Sequence, residues 1–282
     1  MKPVFSMSMN FFQSIVLGIV QGATEFFPVS SSGHLVIIEH FFKNFYRSGI
    51  SFEITLHLAT LVAICIYYRR ELKNMFWGIC RWNSPSVPRP YLQGRKLFLM
   101  IVVGSVPTAL IGLSLKNIFE RVFSEPYLVL GALVLTGVIL WLADRRKSPG
   151  RTVEEMTVWD ALLIGLFQGL AITPGISRSG ATISMGLFCG LGYQTCASYS
   201  FLLSIPAILG AAILESKDFL SLMNPQVNLL AILAGSLAAT ITGYLSIKYL
   251  VKILSRKKLS IFAWYCWFIA ITAGGLIYFK GM

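Results

Sequence analysis

Residues 168–182 read QGLAITPGISRSGAT, and residues 21–35 read QGATEFFPVSSSGHL. Each stretch lies within a long apolar region, and an offset of about 147 positions aligns their Gln-Gly pairs and their Ser-x-Ser-Gly segments. Polar and ionisable groups are costly in lipid and mark functional sites there. Hydrophobic segments that Gly and Pro interrupt at corresponding places in two halves of a chain indicate a binding site between inverted repeats. The two stretches therefore predict both the fold and the position of the site.

The composition is typical of an integral membrane protein. Of 282 residues, 55% are hydrophobic and 13% are charged, with a mean hydropathy of +0.70, whereas a soluble domain carries about 25% charged residues. The net charge of +12 comes largely from basic residues in short loops between apolar runs, as the positive-inside rule expects. We therefore expect membrane lipids, and no nucleic acid, as partners. The five cysteines lack the spacing of a metal site and are interpreted as packing residues. No small-residue cleavage site is seen near the start, so a removable signal peptide is not expected.

The predicted architecture is all-α. Apolar runs of about 20 residues, long enough to cross a bilayer, predict six transmembrane helices near residues 50–68, 97–115, 127–143, 196–214, 227–251 and 261–279. Two further apolar regions, 8–42 and 159–192, are interrupted at their centres by Pro, Gly and Ser and are predicted to be re-entrant helix-loop-helix pairs. We predict a single membrane domain over 1–282, with internal repeats over about 1–145 and 146–282.

Loop charge predicts the orientation. Basic residues dominate the loops at 69–96, 144–160 and 248–258, which are placed inside, and the loops at 116–126 and 215–226 are nearly neutral and are placed outside. Three spans follow each re-entrant pair, and because three is odd, the second half is inverted relative to the first. Both termini then lie outside.

A weaker match supports the repeat. Gly104 and Gly112 in the first half resemble Gly235 and Gly243 in the second, at a smaller offset than the polar stretches. The Pro-rich segment at 82–95 is predicted to be a flexible, solvated connection. Its length explains the smaller offset.

Inverted re-entrant loops would bring together groups that suit a phosphate ester. Arg178 offers a rigid fork of donors for a phosphoryl group. Glu25 and His34 supply acid–base or nucleophilic function, and nearby glycines permit close backbone approach to an anion at a helix N-terminus. Three hydroxyls of the second stretch add donors: Ser177, Ser179 and Thr182.

Simpler interpretations stay open for single residues. The serines at 30–32 follow Pro28 and could serve only to cap a half-helix. His34 alone could be a packed histidine, and Glu25 alone could face the membrane interface. Arg178 has little structural reason to lie between serines in an apolar region. The coincidence of both stretches favours a site.

Two other pairs of polar residues lie near this region. Glu53 and His57 stand at positions i and i+4 of an apolar span, where they face one another; support of the site is one interpretation, and packing is the simpler one. Glu39 and His40 are predicted to lie near the external membrane surface.

At these residues the chain resembles the undecaprenyl-diphosphate phosphatase family, also called bacitracin-resistance proteins. The family pattern is Glu or Gln followed four positions later by Glu, then a Ser/Thr-Gly-His segment, then Pro-Gly-x-Ser-Arg-Ser-x-x-Thr. Here these read Gln21 to Glu25, Ser32-Gly33-His34 and Pro174 to Thr182. The similarity extends over essentially the whole chain.

The resemblance implies an integral membrane phosphatase that removes the terminal phosphate from a C55 polyprenyl diphosphate, which gives the monophosphate carrier for peptidoglycan. It implies a cytoplasmic (inner) membrane protein with six transmembrane helices, two re-entrant pairs in an inverted repeat and a site open to the outer face. It also implies dependence on a divalent cation, Mg or Ca. The oligomeric state, monomer or homodimer, stays open.

By position, the resemblance implies that Glu25 is the key carboxylate, as a base or a metal ligand. Ser31 and His34 are the candidates for nucleophile or proton donor, and Arg178 would hold the diphosphate. Gln21 stands where some members have a second glutamate; it can donate or accept hydrogen bonds but cannot act as a base. The other candidates for substrate binding are Ser30, Ser32, Ser177, Ser179 and Thr182. Attack by Ser31 or His34 through a covalent intermediate competes with direct attack by water.

A polyprenyl-phosphate flippase or transporter is the rival hypothesis, because inverted repeats with broken helices are also a transporter architecture. Fold alone does not decide between the two. Glu25 and His34 beside one pocket favour chemistry. A purely structural membrane protein does not account for the paired polar stretches.

Overall fold

The computed structural model describes residues 11–41, 50–84, 86–123, 125–146, 148–214 and 228–280. The side chains of Glu39 and His40 and the predicted outer loop at 215–226 lie outside this description. The described residues form α-helices and one short 3-10 helix, without a β-strand, so the all-α prediction is confirmed. The helices are α1 (Phe11–Phe26), α2 (Ser31–Phe41), α3 (Ile50–Tyr67), α4 (Arg69–Cys80), α5 (Arg89–Ser114), α6 (Lys116–Phe123), α7 (Pro126–Asp144), α8 (Val158–Leu170), α9 (Arg178–Phe188), α10 (Tyr193–Leu214), α11 (Leu229–Ser255) and α12 (Ser260–Lys280). The 3-10 helix spans Val153–Glu155.

Several of the described helices are apolar and long enough to cross a bilayer, as expected of a multi-pass membrane protein. They are α5, α7, α10, α11 and α12, and α3 with α4 form a further candidate that bends by 78° between the two helices. Many of their large apolar side chains are exposed, which is the surface that lipid covers.

The segment after α3 differs from the prediction. The sequence indicated a loop over 69–96, with a flexible connection at 82–95, whereas the structure has α4 at Arg69–Cys80 and begins α5 at Arg89. Pro90 lies in the first turn of α5, where a missing N–H costs nothing. The two helices cross closely, because a Cβ on Gly94 would overlap the backbone of Asn74. The connection between the two helices is therefore shorter than predicted, because the prolines at its end start α5.

Both interrupted apolar regions are broken helix pairs. In the first, α1 ends at Phe26 and α2 begins at Ser31; Pro28 lies in the break, and Ser30 has a φ of 66°. In the second, α8 ends at Leu170 and α9 begins at Arg178. Gly175 in that break has a φ of 90°, and a Cβ there would overlap the carbonyl oxygen of Val129, so only glycine fits.

Matched serines cap the second helix of each pair. Ser30 Oγ accepts a hydrogen bond of 3.2 Å from the Gly33 N–H, and Ser177 Oγ accepts one of 3.1 Å from the Gly180 N–H. Each bond satisfies one of the N–H groups that a helix start leaves without a partner. The N-termini of α2 and α9 are thereby fixed in the same manner.

Each broken pair packs on a helix of the other half of the chain. Helix α1 crosses α11 where Gly18 meets Gly235, and α8 crosses α5 where Gly165 meets Gly104; a Cβ on Gly18 or Gly165 would overlap the carbonyl oxygen of its partner glycine. Small residues permit such close crossings in membrane proteins. Thr108 supports the second crossing, because its hydroxyl donates to the Gly165 carbonyl at 2.8 Å.

We expect Gly165→Ala to destabilise the fold. The added methyl group has no space beside Gly104, and overpacking of a close contact costs about 1–3 kcal/mol. Thermal unfolding of the purified protein in detergent measures the change. Gly131→Ala in α7 is the matched control, since a Cβ there would meet nothing within 4 Å; it should cause no loss. Equal unfolding temperatures for the two variants would contradict the close crossing.

Candidate active site

The two polar stretches lie in contact at the breaks of their helix pairs. A Cβ built on Gly33 would lie 3.2 Å from Gly175 Cα, and one on Gly180 would lie 3.3 Å from Pro28 Cβ. Ser179 Oγ lies 3.3 Å from the Phe27 carbonyl oxygen and donates to it. The N-termini of α2 and α9 therefore meet around one buried group, the carboxylate of Glu25.

The Glu25 side chain is almost fully enclosed, with 4% of its surface exposed. Arg178 Nη2 donates to Oε1 at 2.6 Å, and Oε2 accepts from Ser31 Oγ at 2.8 Å and from Gln21 Nε2 at 2.9 Å. A buried carboxylate is tolerated when a cation and further donors satisfy it. Glu25, Ser31, Gln21 and Arg178 thus form one cluster, in which both halves of the chain take part.

Two polar atoms of this cluster are left without a partner. Arg178 Nη1 and Gln21 Oε1 are buried, and neither has a hydrogen-bond partner among the described residues. Burying a polar group without a partner is costly. The cluster therefore has one donor, Arg178 Nη1, and one acceptor, Gln21 Oε1, with which a ligand could form hydrogen bonds.

His57 belongs to the same cluster, which the sequence did not establish. Its Nδ1 lies 3.0 Å from Gln21 Nε2 and 3.4 Å from Glu25 Oε2, and its side chain is 35% exposed. The sequence paired His57 with Glu53 and gave packing as the simpler interpretation. The signal that could have identified it is an ionisable side chain in the middle of an apolar span.

His34 lies on α2 with both ring nitrogens occupied. Nδ1 lies 2.8 Å from the Ser30 carbonyl oxygen, and Nε2 lies 2.9 Å from the Tyr265 hydroxyl of α12. Among the described residues, neither nitrogen is hydrogen-bonded to Ser31 or Glu25. Ser31 therefore has the Glu25 carboxylate, and not His34, as its hydrogen-bond acceptor.

The remaining candidates of the second stretch have local partners. Ser177 Oγ caps α9 and lies 3.2 Å from Ser179 Oγ. Thr182 is buried; its hydroxyl donates to the Arg178 carbonyl at 2.8 Å and lies 2.6 Å from Ser200 Oγ. Ser32 Oγ, in the first stretch, lies 3.4 Å from Ser30 Oγ. Their role in substrate binding stays a prediction.

Comparison with known proteins decides the family. The model of the family described as bacitracin resistance protein BacA matches residues 14–272. The chain belongs to the BacA family. Its resemblance to that family, inferred from the polar stretches, is confirmed, and the matched range includes every residue of the Glu25 cluster as well as His34 and Tyr265.

Curated BacA relatives are similar over nearly their whole length. The chain is 43% identical over 270 residues to an undecaprenyl-diphosphatase of Carboxydothermus hydrogenoformans, which covers 94% of this chain and 96% of that protein. It is 44% identical over 276 residues to an undecaprenyl-diphosphatase of Desulfosudis oleivorans, and the match covers 96% of this chain and 98% of that protein. A third, of Syntrophotalea carbinolica, is 38% identical over 270 residues, with 96% and 98% covered.

This member of the BacA family has few groups that could hold a metal ion. The described residues contain no cluster of three or more His, Cys, Asp or Glu side chains with that arrangement. The Glu25 carboxylate and Gln21 Oε1, which has no partner among the described residues, are the oxygen atoms of the cluster that could hold such an ion. This set fits Mg²⁺, which is commonly held by one or two carboxylates together with substrate phosphates.

Proposed function

We propose that the chain hydrolyses undecaprenyl diphosphate to undecaprenyl phosphate and inorganic phosphate and so recycles the lipid carrier for peptidoglycan synthesis. The observation that carries the proposal is a serine hydroxyl, Ser31, held 2.8 Å from a buried carboxylate, beside an arginine with a free donor. Its relatives named undecaprenyl-diphosphatase, which match along nearly the whole chain, support the same reaction.

Arg178 would bind the terminal phosphoryl group. Its Nη1 is buried and has no hydrogen-bond partner in the described part of the chain, and a guanidinium can donate to a phosphate through one nitrogen while the other remains with a carboxylate. Phosphoryl transfer depends mainly on positioning and charge neutralisation. Arg178 and Ser31 contact the two oxygens of the same carboxylate, Glu25 Oε1 and Oε2, which supports a phosphate bound by Arg178 within reach of Ser31.

Ser31 would then attack the terminal phosphorus. As its Oγ bonds to phosphorus, its proton passes to Glu25 Oε2, and the bond to the bridging oxygen breaks, so that undecaprenyl phosphate leaves with the electron pair. Water next attacks the phosphoserine, and Glu25 returns the proton to Ser31 Oγ. The water oxygen remains on the inorganic phosphate with one proton and releases the other.

A divalent cation, Mg or Ca, is part of the proposal. Glu25 and Gln21 Oε1 would hold it, and when bound it neutralises charge on the diphosphate oxygens. Because Gln21 stands where some members of the family have a second glutamate, Glu25 is the one carboxylate of the pair. It would both hold the cation and accept the proton from Ser31.

The proposed topology has six transmembrane helices and two re-entrant pairs in an inverted repeat over about 1–145 and 146–282, within a single membrane domain. The crossings of α1 with α11 and of α8 with α5 support it, because corresponding glycines meet in each. Loop charge supports a site and termini directed to the outer face of the cytoplasmic membrane. Reporter fusions that placed the 69–96 segment outside would contradict this orientation.

Phosphate release from a long-chain polyprenyl diphosphate by purified protein in detergent tests the proposed function. We expect release with Mg or Ca, and its loss with chelator. Arg70→Ala, which removes an exposed arginine of α4, should leave release unchanged. If folded wild-type protein binds the lipid but releases no phosphate, the result would contradict the phosphatase and favour a lipid flippase or transporter.

The covalent intermediate can be trapped. Rapid quench after mixing with substrate labelled in its terminal phosphate should yield phosphoserine at Ser31, located by mass spectrometry. Ser31→Ala should abolish the label, whereas Ser105→Ala should retain it, because the Ser105 hydroxyl donates to the Ile101 carbonyl of its own helix, away from the Glu25 cluster. Label on His34, or none at all with steady turnover, would favour the histidine or direct attack by water.

A further inference from the structure

Tyr265 connects the last helix of the chain to the site. It lies on α12, and its hydroxyl is 2.9 Å from His34 Nε2, across 231 positions of sequence. The ring planes of the two side chains are within 9° of parallel, with centroids 5.6 Å apart. Neighbouring residues of α12 fix this approach: Phe262 stacks on Phe27 at 5.5 Å, and Cys266 Sγ lies 3.7 Å from the Pro28 carbonyl oxygen.

The hydrogen bonds assign the tautomer of His34. The Ser30 carbonyl can only accept, so Nδ1 carries the proton and donates to it at 2.8 Å. In a neutral imidazole the other nitrogen is then an acceptor, and Tyr265 donates to Nε2. The same carbonyl also accepts a hydrogen bond from the backbone N–H of His34 at 3.2 Å.

A tyrosine hydroxyl can serve His34 in both of its charge states. It donates to the neutral Nε2, and after rotation its oxygen accepts from Nε2–H once the imidazole has gained a proton. The ring can therefore keep the same orientation in either charge state. A phenylalanine would retain the packing on α2 without either bond.

We propose that Tyr265 is a positioning residue that holds His34 in one orientation, with its proton on Nδ1 and its basic nitrogen on Nε2. The inference rests on the proposed function and on the role of His34 that the family resemblance implies, a candidate nucleophile or proton donor. Tyr265 acts through His34 and does not contact the diphosphate.

The kinetic test is a cycle of four proteins: wild type, Tyr265→Phe, His34→Ala and the double variant. We expect Tyr265→Phe to lower kcat for phosphate release about fivefold, the size of one lost hydrogen bond, with KM within twofold. In the His34→Ala background the same change should have no further effect. Tyr278→Phe, an exposed tyrosine of the same helix, is the control and should match wild type.

A spectroscopic measurement is independent of turnover. The chain has three histidines, so ¹⁵N-labelled histidine gives few signals, and His34→Ala assigns those of His34. The His34 Nε2 resonance should shift in Tyr265→Phe and stay in place in Tyr278→Phe. Absence of phosphate release by wild type would refute the proposed function alone, because the Nε2 shift still reports the contact with Tyr265.

Two outcomes would overturn the proposal. One is an unchanged Nε2 resonance in Tyr265→Phe. The other is an equal loss of kcat from Tyr265→Phe with and without His34, which would assign Tyr265 a role of its own. If His34→Ala leaves too little activity for comparison, the resonance decides.

Discussion

Replacing Glu25 by glutamine is expected to lower kcat for phosphate release by about three orders of magnitude. The carboxylate accepts from Ser31, Gln21 and Arg178, and a general base in this position contributes about 10²–10⁴-fold. An amide can still accept one hydrogen bond from Ser31, but it cannot take its proton. Steady-state release of phosphate, measured at saturating substrate, gives the change in kcat directly.

The variant also leaves the Arg178 charge buried without its counter-ion. Breaking a buried pair by removing one partner costs about 3–5 kcal/mol, so the unfolding temperature of Glu25→Gln has to be measured alongside its activity. Glu125→Gln, an exposed glutamate before α7 that caps nothing through its side chain, is the matched control. Activity of Glu25→Gln within tenfold of wild type would remove Glu25 from the proton path and favour His34.

Arg178→Lys is expected to reduce kcat/KM about 100-fold or more, although the charge is kept. The guanidinium uses Nη2 for Glu25 and leaves Nη1 free for the phosphate, whereas an ammonium is a single point of charge that cannot reproduce this fork. Loss of a preorganised donor to a phosphoryl group typically costs about 10²–10³ in rate. Arg70→Lys on exposed α4 controls for the substitution itself.

The two terms of kcat/KM separate binding from chemistry in this variant. A rise in KM with unchanged kcat would mean that Arg178 binds substrate and transition state equally, and a fall in kcat would mean that it acts on the transition state. We expect both to change. Wild-type values for both would show that the diphosphate is held elsewhere.

Much of the fold could be predicted because it depends on local sequence. Apolar run length gave the long helices, and Pro28, Gly175 and their neighbouring serines gave the breaks, since these residues act on their own backbone. The start of α5 at Arg89 was missed because the local signal is ambiguous. Proline is common in loops and is also common in the first turn of a helix. Helix α5 begins before Gly94, where α4 packs closely against it, and this contact between two helices is not visible in the local sequence.

The candidate site could be predicted in its residues more than in its contacts. Glu25, Ser31 and Arg178 stood out because polar groups in apolar segments are rare, and the structure brings them together. His57 and Tyr265 could not be recognised in this way, because their importance depends on which distant side chain they face. Tyr265 in particular is one aromatic residue among many in α12, and 231 positions separate it from His34.

The reciprocal packing of the broken pairs has a consequence for synthesis. Helix α1 is made first, but its glycine crossing needs α11, which begins at Leu229; at about 5–20 residues per second this partner arrives roughly 10–40 s later. Glu25 likewise lacks its ion-pair partner until Arg178, 153 positions downstream, has been synthesised. The nascent first half therefore lacks these contacts in the membrane, and it completes its packing only after the second half has been made.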